Sequence, residues 1–230
     1  ERIAVIAVGG SGRGEMAPFS DVDLLFLIPY KATAWTESVV ESMLYILWDL
    51  KLKVGHATRT VDDCLRLGSD DYTIQTSLLE RRFIAGEPSL AEQLTEALNQ
   101  SLFSGSGTDF IEAKLAERDR RHQRQGQRYM VEPNVKEGKG GLRDLHVLYW
   151  ITRFLDQDGK ITDAQNTDDY VEQGLFDKAA AQRFMRAADF LWRTRCHLHY
   201  LSGKRPTENL TFDYQTKLAR KMGYASGSVE

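Results

Sequence analysis

Two short apolar runs near the start of the chain, Ile3 to Val8 and Leu24 to Ile28, are separated by Gly9-Gly10-Ser11-Gly12-Arg13-Gly14 and by Asp21-Val22-Asp23. No other part of the sequence constrains the fold as much. The first run is β-branched at Ile3, Val5, Ile6 and Val8 and stops at a glycine pair, which reads as a buried strand rather than a helix. Gly9 and Gly10 let the backbone turn sharply and approach a ligand with no side chain in the way. Ser11 then stands where a helix can begin, as a cap and a hydroxyl donor, and the N–H groups of a helix start suit a phosphate. The spacing is not that of a dinucleotide-binding fingerprint, and no Gly-Lys-Ser/Thr follows, so those two phosphate loops are poor matches.

Side chains alternate along a strand, so Asp21 and Asp23 point to one face while Val22 points into the core. The two carboxylates, about 7 Å apart along the strand, can share hard cations, and magnesium is usually held by one or two carboxylates plus substrate phosphates. A turn at Ser20-Asp21 and a solvated Asp23 would explain the pair taken alone. Joined to the glycine turn upstream, the pair reads as a metal clamp beside a phosphate cradle, suited to metal-assisted attack at a nucleotide phosphorus.

Gly-Gly-Ser followed by Asp-x-Asp on the next strand resembles the signature of the nucleotidyltransferase superfamily. The longer run Gly12-Arg13-Gly14-Glu15-Met16 with Pro18-Phe19-Ser20-Asp21-Val22-Asp23-Leu24-Leu25-Phe26-Leu27 resembles the bacterial PII uridylyltransferase/uridylyl-removing family. So does Glu132-Pro133-Asn134-Val135-Lys136-Glu137-Gly138-Lys139-Gly140-Gly141-Leu142-Arg143-Asp144, which is similar to the motif that follows the transferase domain there. The resemblance covers nearly the whole chain and is weakest over residues 158–178. It implies an α+β fold: a polymerase-beta-like domain with a small mixed sheet, followed by an all-α domain. It implies transfer of UMP from UTP to a tyrosine of a PII signalling protein in the cytoplasm, with pyrophosphate released. In that reading Asp21 and Asp23 hold Mg2+, while Gly9, Gly10, Ser11 and Arg13 hold the triphosphate. The rival readings are a related adenylyltransferase and a nucleotide-binding regulatory module without catalysis. No His-Asp doublet is present, so no uridylyl-removing activity is assigned to these residues.

Several roles stay open at this level. Many nucleotidyltransferases draw a third carboxylate from the strand after the helix; here Val54-Gly55-His56-Ala57-Thr58-Arg59-Thr60 matches the family pattern and offers none. His56 is then a candidate general base or substrate contact, or a hydrogen-bonded strand histidine. Glu15 is another candidate carboxylate, or a surface residue. Lys136 and Arg143 could reach a triphosphate, or could pair with Glu137 and Asp144 in a structural turn. The basic run Arg118 to Arg124 is a solvated helix face or a rim attracting triphosphate or an acidic partner. His197 and His199 lie two apart on a helix and read as core or interface residues rather than a metal pair.

Periodicity predicts helices over Trp35 to Leu50, from Thr60 to Leu67, from Ser69 to about Phe83 with an end at Gly86, and over Leu90 to Leu102. A strand is predicted over Leu52 to Thr58, with the helices of this half on one face of the sheet. Ser104-Gly105-Ser106-Gly107-Thr108 is the best linker, dividing a transferase domain, 1–104, from a helical domain, 105–230. Helices follow over Asp109 to Gln125, Leu142 to Leu155, Asp168 to Gln173, Asp177 to Leu201 and Tyr214 to Met222, with a polar loop over residues 157–167. The chain opens on a strand and closes just after a helix, as a fragment of something larger would. A formal charge of −3 and 42% hydrophobic residues favour neither nucleic acid nor membrane, and Cys64 and Cys196 read as two buried thiols.

Overall fold

The computed structural model describes residues 2–105, 107–124, 130–156, 167–172, 174, 176–203 and 205–224; most of the polar loop expected over residues 157–167 lies outside them. The chain divides into two compact units. One is Glu1–Met16, Ser20–Phe110 and Arg153–Gly159; the other is Ala17–Phe19, Ile111–Thr152 and Lys160–Glu230.

The first unit is α+β. Its elements are β1 (Ala4–Ala7), α1 (Gly9–Arg13), β2 (Val22–Leu27), α2 (Ala34–Asp49), β3 (Val54–Arg59), α3 (Val61–Asp70), α4 (Tyr72–Leu79), β4 (Arg82–Gly86) and α5 (Pro88–Ser101). The sheet order is β3-β2-β1-β4. β1 runs antiparallel to β2 and β4, whereas β2 and β3 are parallel. A parallel pair needs a crossover, and α2 supplies it, started by a capping box between Thr33 and Thr36.

Alternation along β1 and β2 sorts the core into two layers. Val5, Leu24 and Phe26 pack against Val40 and Leu44 of α2. Ala4, Ile6, Leu25 and Leu27 point the other way and are just as buried, with α5 against β1 and β4 and α3 beside α5. Helices therefore cover both faces of the sheet, not one as the sequence suggested.

A second correction concerns residues 82–86. The sequence reading ran a helix from Ser69 through Phe83. Instead the Ser69 hydroxyl bonds back to the Arg66 carbonyl inside α3, and Asp71 caps α4 by accepting from the Thr73 N–H at 2.6 Å. Arg82 to Gly86 then pair with β1 as an edge strand. The unpaired backbone groups along β1 decide this, because a strand buried on both faces needs a partner on each edge. Gly86, at φ 97, is required where β4 ends: a Cβ there would lie 2.2 Å from the Ile3 carbonyl oxygen.

The second unit is helical, with α6 (Thr108–Arg124), α7 (Leu142–Leu155), α8 (Thr167–Glu172), α9 (Lys178–Ser202) and α10 (Phe212–Lys221); α6 begins and α7 ends within the first unit. An isolated bridge between Asn134 and Asn209 ties two of its loops. Among the described residues no helix is long and apolar enough to cross a membrane.

Candidate active site

The glycine turn is tighter than the sequence suggested. α1 starts at Gly9, with Val8 rather than Ser11 at its N-cap. Ser11 is buried inside the turn, where its hydroxyl accepts from the Asp23 N–H at 3.1 Å and donates to Met16 Sδ at 3.2 Å. That hydroxyl therefore fastens the turn to β2 instead of standing open as a cap. Gly12 is packed hardest: a Cβ there would come 1.9 Å from the Glu80 carbonyl oxygen and 3.0 Å from that of Ala7.

Arg13 is also turned inward. Its guanidinium bonds Glu15 at 2.8 Å and Glu80, with 6% of the side chain exposed. Burial alone would lower its pKa, but Glu80 and Glu15 more than offset this and hold it above its ordinary value. Arg82, from β4, donates to the carbonyls of Gly12 at 3.2 Å and Ser11 at 2.8 Å. The segment 80–82 thus clamps the turn from behind, and Glu15, considered as a catalytic carboxylate, is held in the same clamp.

Asp23 sits where the turn meets the sheet. Its backbone carbonyl accepts from the Val8 N–H at 3.0 Å. A Cβ on Gly9 would lie 2.9 Å from one Asp23 carboxylate oxygen, and a Cβ on Gly55 would lie 2.6 Å from the other. The carboxylate therefore occupies space that only two glycines leave open. The parallel register explains Gly55, which pairs with Asp23 across the β2–β3 ladder and so presents its missing side chain to the same face. Asp21 lies just ahead of β2 and is exposed.

The same register sets His56 apart from Asp23. His56 pairs with Leu24, and its ring meets Phe26 edge-on with centroids 6.4 Å apart. It lies on the α2 face, opposite Asp23, so the structure does not bring the two side chains together. On the Asp23 face β3 presents Gly55, Ala57 and Arg59, and no acid. We expect Gly55→Ala to displace the Asp23 carboxylate while sparing the core. Any chemistry that depends on that carboxylate should slow about a hundredfold, as for a small misplacement of a reacting geometry, with the unfolding midpoint almost unchanged. A Gly55→Ala protein with an undisplaced Asp23 carboxylate would contradict this placement.

The glycine-rich motif of the second unit is a knot of hydrogen bonds at the start of α7. Asn134 Oδ1 accepts from the N–H groups of Lys136 at 3.1 Å and Glu137 at 2.7 Å. Asp144 accepts from the Gly140 N–H at 2.8 Å and from His122 and Arg121. Burial pushes its carboxyl up, but the Gly140, His122 and Arg121 bonds prevail and hold it below the usual range. Arg143 pairs with Glu137 at 3.2 Å and lies over the Trp150 ring. Lys136 is half-buried, and burial, then Arg143 and Arg195, lower its pKa. This unit holds Lys136 and Arg143 together, whereas Gly9, Gly10, Ser11, Arg13, Asp21 and Asp23 belong to the first.

Gly55, Glu80 and Arg82 were not picked out from the sequence. Only Gly55 left a signal there, as a glycine inside a strand pattern.

Fold and site together define a class. An α+β unit whose glycine turn meets an aspartate at the start of the neighbouring strand, followed by a helical region, is consistent with a nucleotidyltransferase domain and its helical extension. The model of the GlnD PII-uridylyltransferase family matches residues 109–230, more than half of the chain, and the chain belongs to that family. Similar relatives include proteins named bifunctional uridylyltransferase/uridylyl-removing enzyme. That from Ruegeria pomeroyi is 61% identical over 97% of this chain and 24% of its own length. That from Cereibacter sphaeroides is 59% identical over 98% and 24%, and that from Rhodospirillum rubrum 54% over 97% and 23%. The chain thus spans about a quarter of the length of these relatives.

Proposed function

We propose that this chain transfers UMP from UTP to a tyrosine of a PII signalling protein. The tyrosine oxygen forms a bond to the α-phosphorus, the bond from that phosphorus to the bridging oxygen breaks, and pyrophosphate leaves. One observation carries this reading: the Asp23 carboxylate rests in a cleft that a Cβ on Gly9 or Gly55 would fill. The uridylyl group and the PII acceptor are supported by the names of the family and of its relatives.

The donor set fits magnesium. Asp21 and Asp23 are hard oxygen ligands, and Mg2+ is ordinarily bound by one or two carboxylates plus substrate phosphates. Among the described residues no cluster of three or more protein ligands exists, which suits an ion completed by its substrate. The Ser20 hydroxyl, next to Asp21, is buried without a hydrogen-bond partner among the described residues, an unmet polar group beside the pair. Bound there, the ion would neutralise charge on the phosphates and activate the attacking oxygen. The chain's own part is positional. Asp23 is aimed by its backbone bonds to Ser11 and Val8, Gly9 and Gly10 leave room for the triphosphate, and Arg13 keeps the turn closed.

The test is to incubate the chain with Mg2+, a PII protein and each α-labelled nucleoside triphosphate in turn. Label from UTP should reach PII. Label arriving from ATP would make the chain an adenylyltransferase. Nucleotide binding with no transfer would make it a regulatory module.

A further inference from the structure

The edge strand β4 does more than close the sheet. Its pairing with β1 is bulged between Val5 and Ile6: Val5 stands opposite Ala85, but Ile6 stands opposite Phe83 and Ala7 opposite Arg82. In an unbroken ladder Phe83 would face Ala7. The extra residue, Ile84, advances the strand by one and puts Arg82 at the end of β1, where the glycine turn begins. Bulges commonly re-aim a side chain beside a working site.

Arg82 is exposed, as is the whole of β4, so it supports no core. Its guanidinium instead spans two successive carbonyls of the turn, Nη2 donating to Ser11 at 2.8 Å and Nε to Gly12 at 3.2 Å. The Ser11 carbonyl also accepts from the Gly14 N–H, but at 3.4 Å, longer than a good amide bond. Ser11 is the residue whose hydroxyl accepts from the Asp23 N–H at 3.1 Å. Arg82, Ser11 and Asp23 thus form one line of bonds, all inside the first unit. A planar fork grips the Ser11 peptide, and the Ser11 hydroxyl grips the Asp23 backbone. A guanidinium fixes two acceptors at once in a way that a single ammonium does not.

We propose that Arg82 is a positioning residue for the transfer reaction: by bridging the Ser11 and Gly12 carbonyls it fixes the Ser11 hydroxyl against the Asp23 backbone, and so sets where the Asp23 carboxylate stands. This rests on the role given to Asp23 above. Without the bridge the turn keeps its Arg13 ion pairs, but the Ser11 peptide loses its shortest bond and Asp23 loses a fixed reference. A side chain that merely capped the last carbonyls of α1 would contribute stability alone.

The test compares Arg82→Met, which keeps an apolar stem and loses every donor, with Arg82→Lys, which returns a single ammonium. In the 15N-labelled chain without metal or nucleotide, the amide resonances of Ser11 and Asp23 should move in Arg82→Met, and by less in Arg82→Lys. In the transfer assay with saturating Mg2+ and UTP, kcat should fall about tenfold or more in Arg82→Met and by less in Arg82→Lys. KM for UTP should stay nearly constant, and both unfolding midpoints should lie close to that of the wild-type chain. An unmoved Asp23 amide or an unchanged kcat in folded Arg82→Met would overturn the proposal. So would losses of kcat that simply track the unfolding midpoint across the two variants, the mark of a cap. If Arg82→Met does not fold, Arg82→Lys decides by the same readouts. Absence of transfer by the wild-type chain would instead count against the transferase reading, and the Asp23 amide would still decide whether Arg82 positions that residue.

Discussion

Asp23→Asn is expected to abolish the proposed UMP transfer, by about a thousandfold or more, and to leave the unfolding midpoint nearly where it was. The loss follows from charge: asparagine keeps the shape of the side chain but not the anion, and metal assistance is worth several kcal/mol of barrier at about 1.4 kcal/mol per tenfold. The fold survives because the bonds that place residue 23 are made by its backbone, to the Ser11 hydroxyl and from the Val8 N–H. Asp21→Asn should behave alike, since that side chain is exposed and supports no core. Initial rates with saturating Mg2+ and UTP, beside a thermal melt, measure both effects. Substantial transfer by a folded Asp23→Asn protein would remove this carboxylate from the mechanism.

Gly12→Ala is the largest stability effect expected from a single methyl group. Its Cβ would stand 1.9 Å from the Glu80 carbonyl oxygen and 3.0 Å from the Ala7 carbonyl oxygen. Both are backbone atoms, one leading into β4 and the other ending β1, and neither can swing aside as a side chain could. Relief requires α1 to lift away from the segment 80–82, which loosens the Arg13 ion pairs and the Arg82 bonds at once. Overpacking of this kind costs about 3 kcal/mol, which a urea titration resolves easily. Gly14→Ala is the control. Gly14 has φ 75 but open space around it, so only the left-handed backbone is penalised, at roughly 1–2 kcal/mol. Equal losses at the two positions would mean that the turn is not wedged against Glu80.

These two experiments act on different layers of the site, one legible in the sequence and one not. Gly9, Asp21 and Asp23 were readable because their chemistry and spacing are local: a strand that stops at glycine, then two acids with one residue between them. The helices α2, α5, α7 and α9 were readable for the same reason, as periodic apolar faces. The strand β4 was not, because nothing in Arg82-Phe83-Ile84-Ala85-Gly86 announces that β1 lacks a partner on that edge. Nor was the orientation of His56. Its face depends on the parallel register between β2 and β3, whose strands are joined through the whole of α2, and a one-residue slip would have put His56 beside Asp23.

The sequence by itself determined the chemistry on offer: a bare glycine turn, two carboxylates one residue apart, and a second motif crowded with glycine and charge. Those properties belong to residue types at short separations, so they survive without knowledge of the fold. Only the tertiary structure decided which groups share a space. It gave Arg13 to Glu80, set Asp23 beside Gly55, turned His56 to the other face and brought His199 to Pro18. Each of those pairings spans a long stretch of chain, and strand register and helix packing, not local preference, fix which distant residues meet.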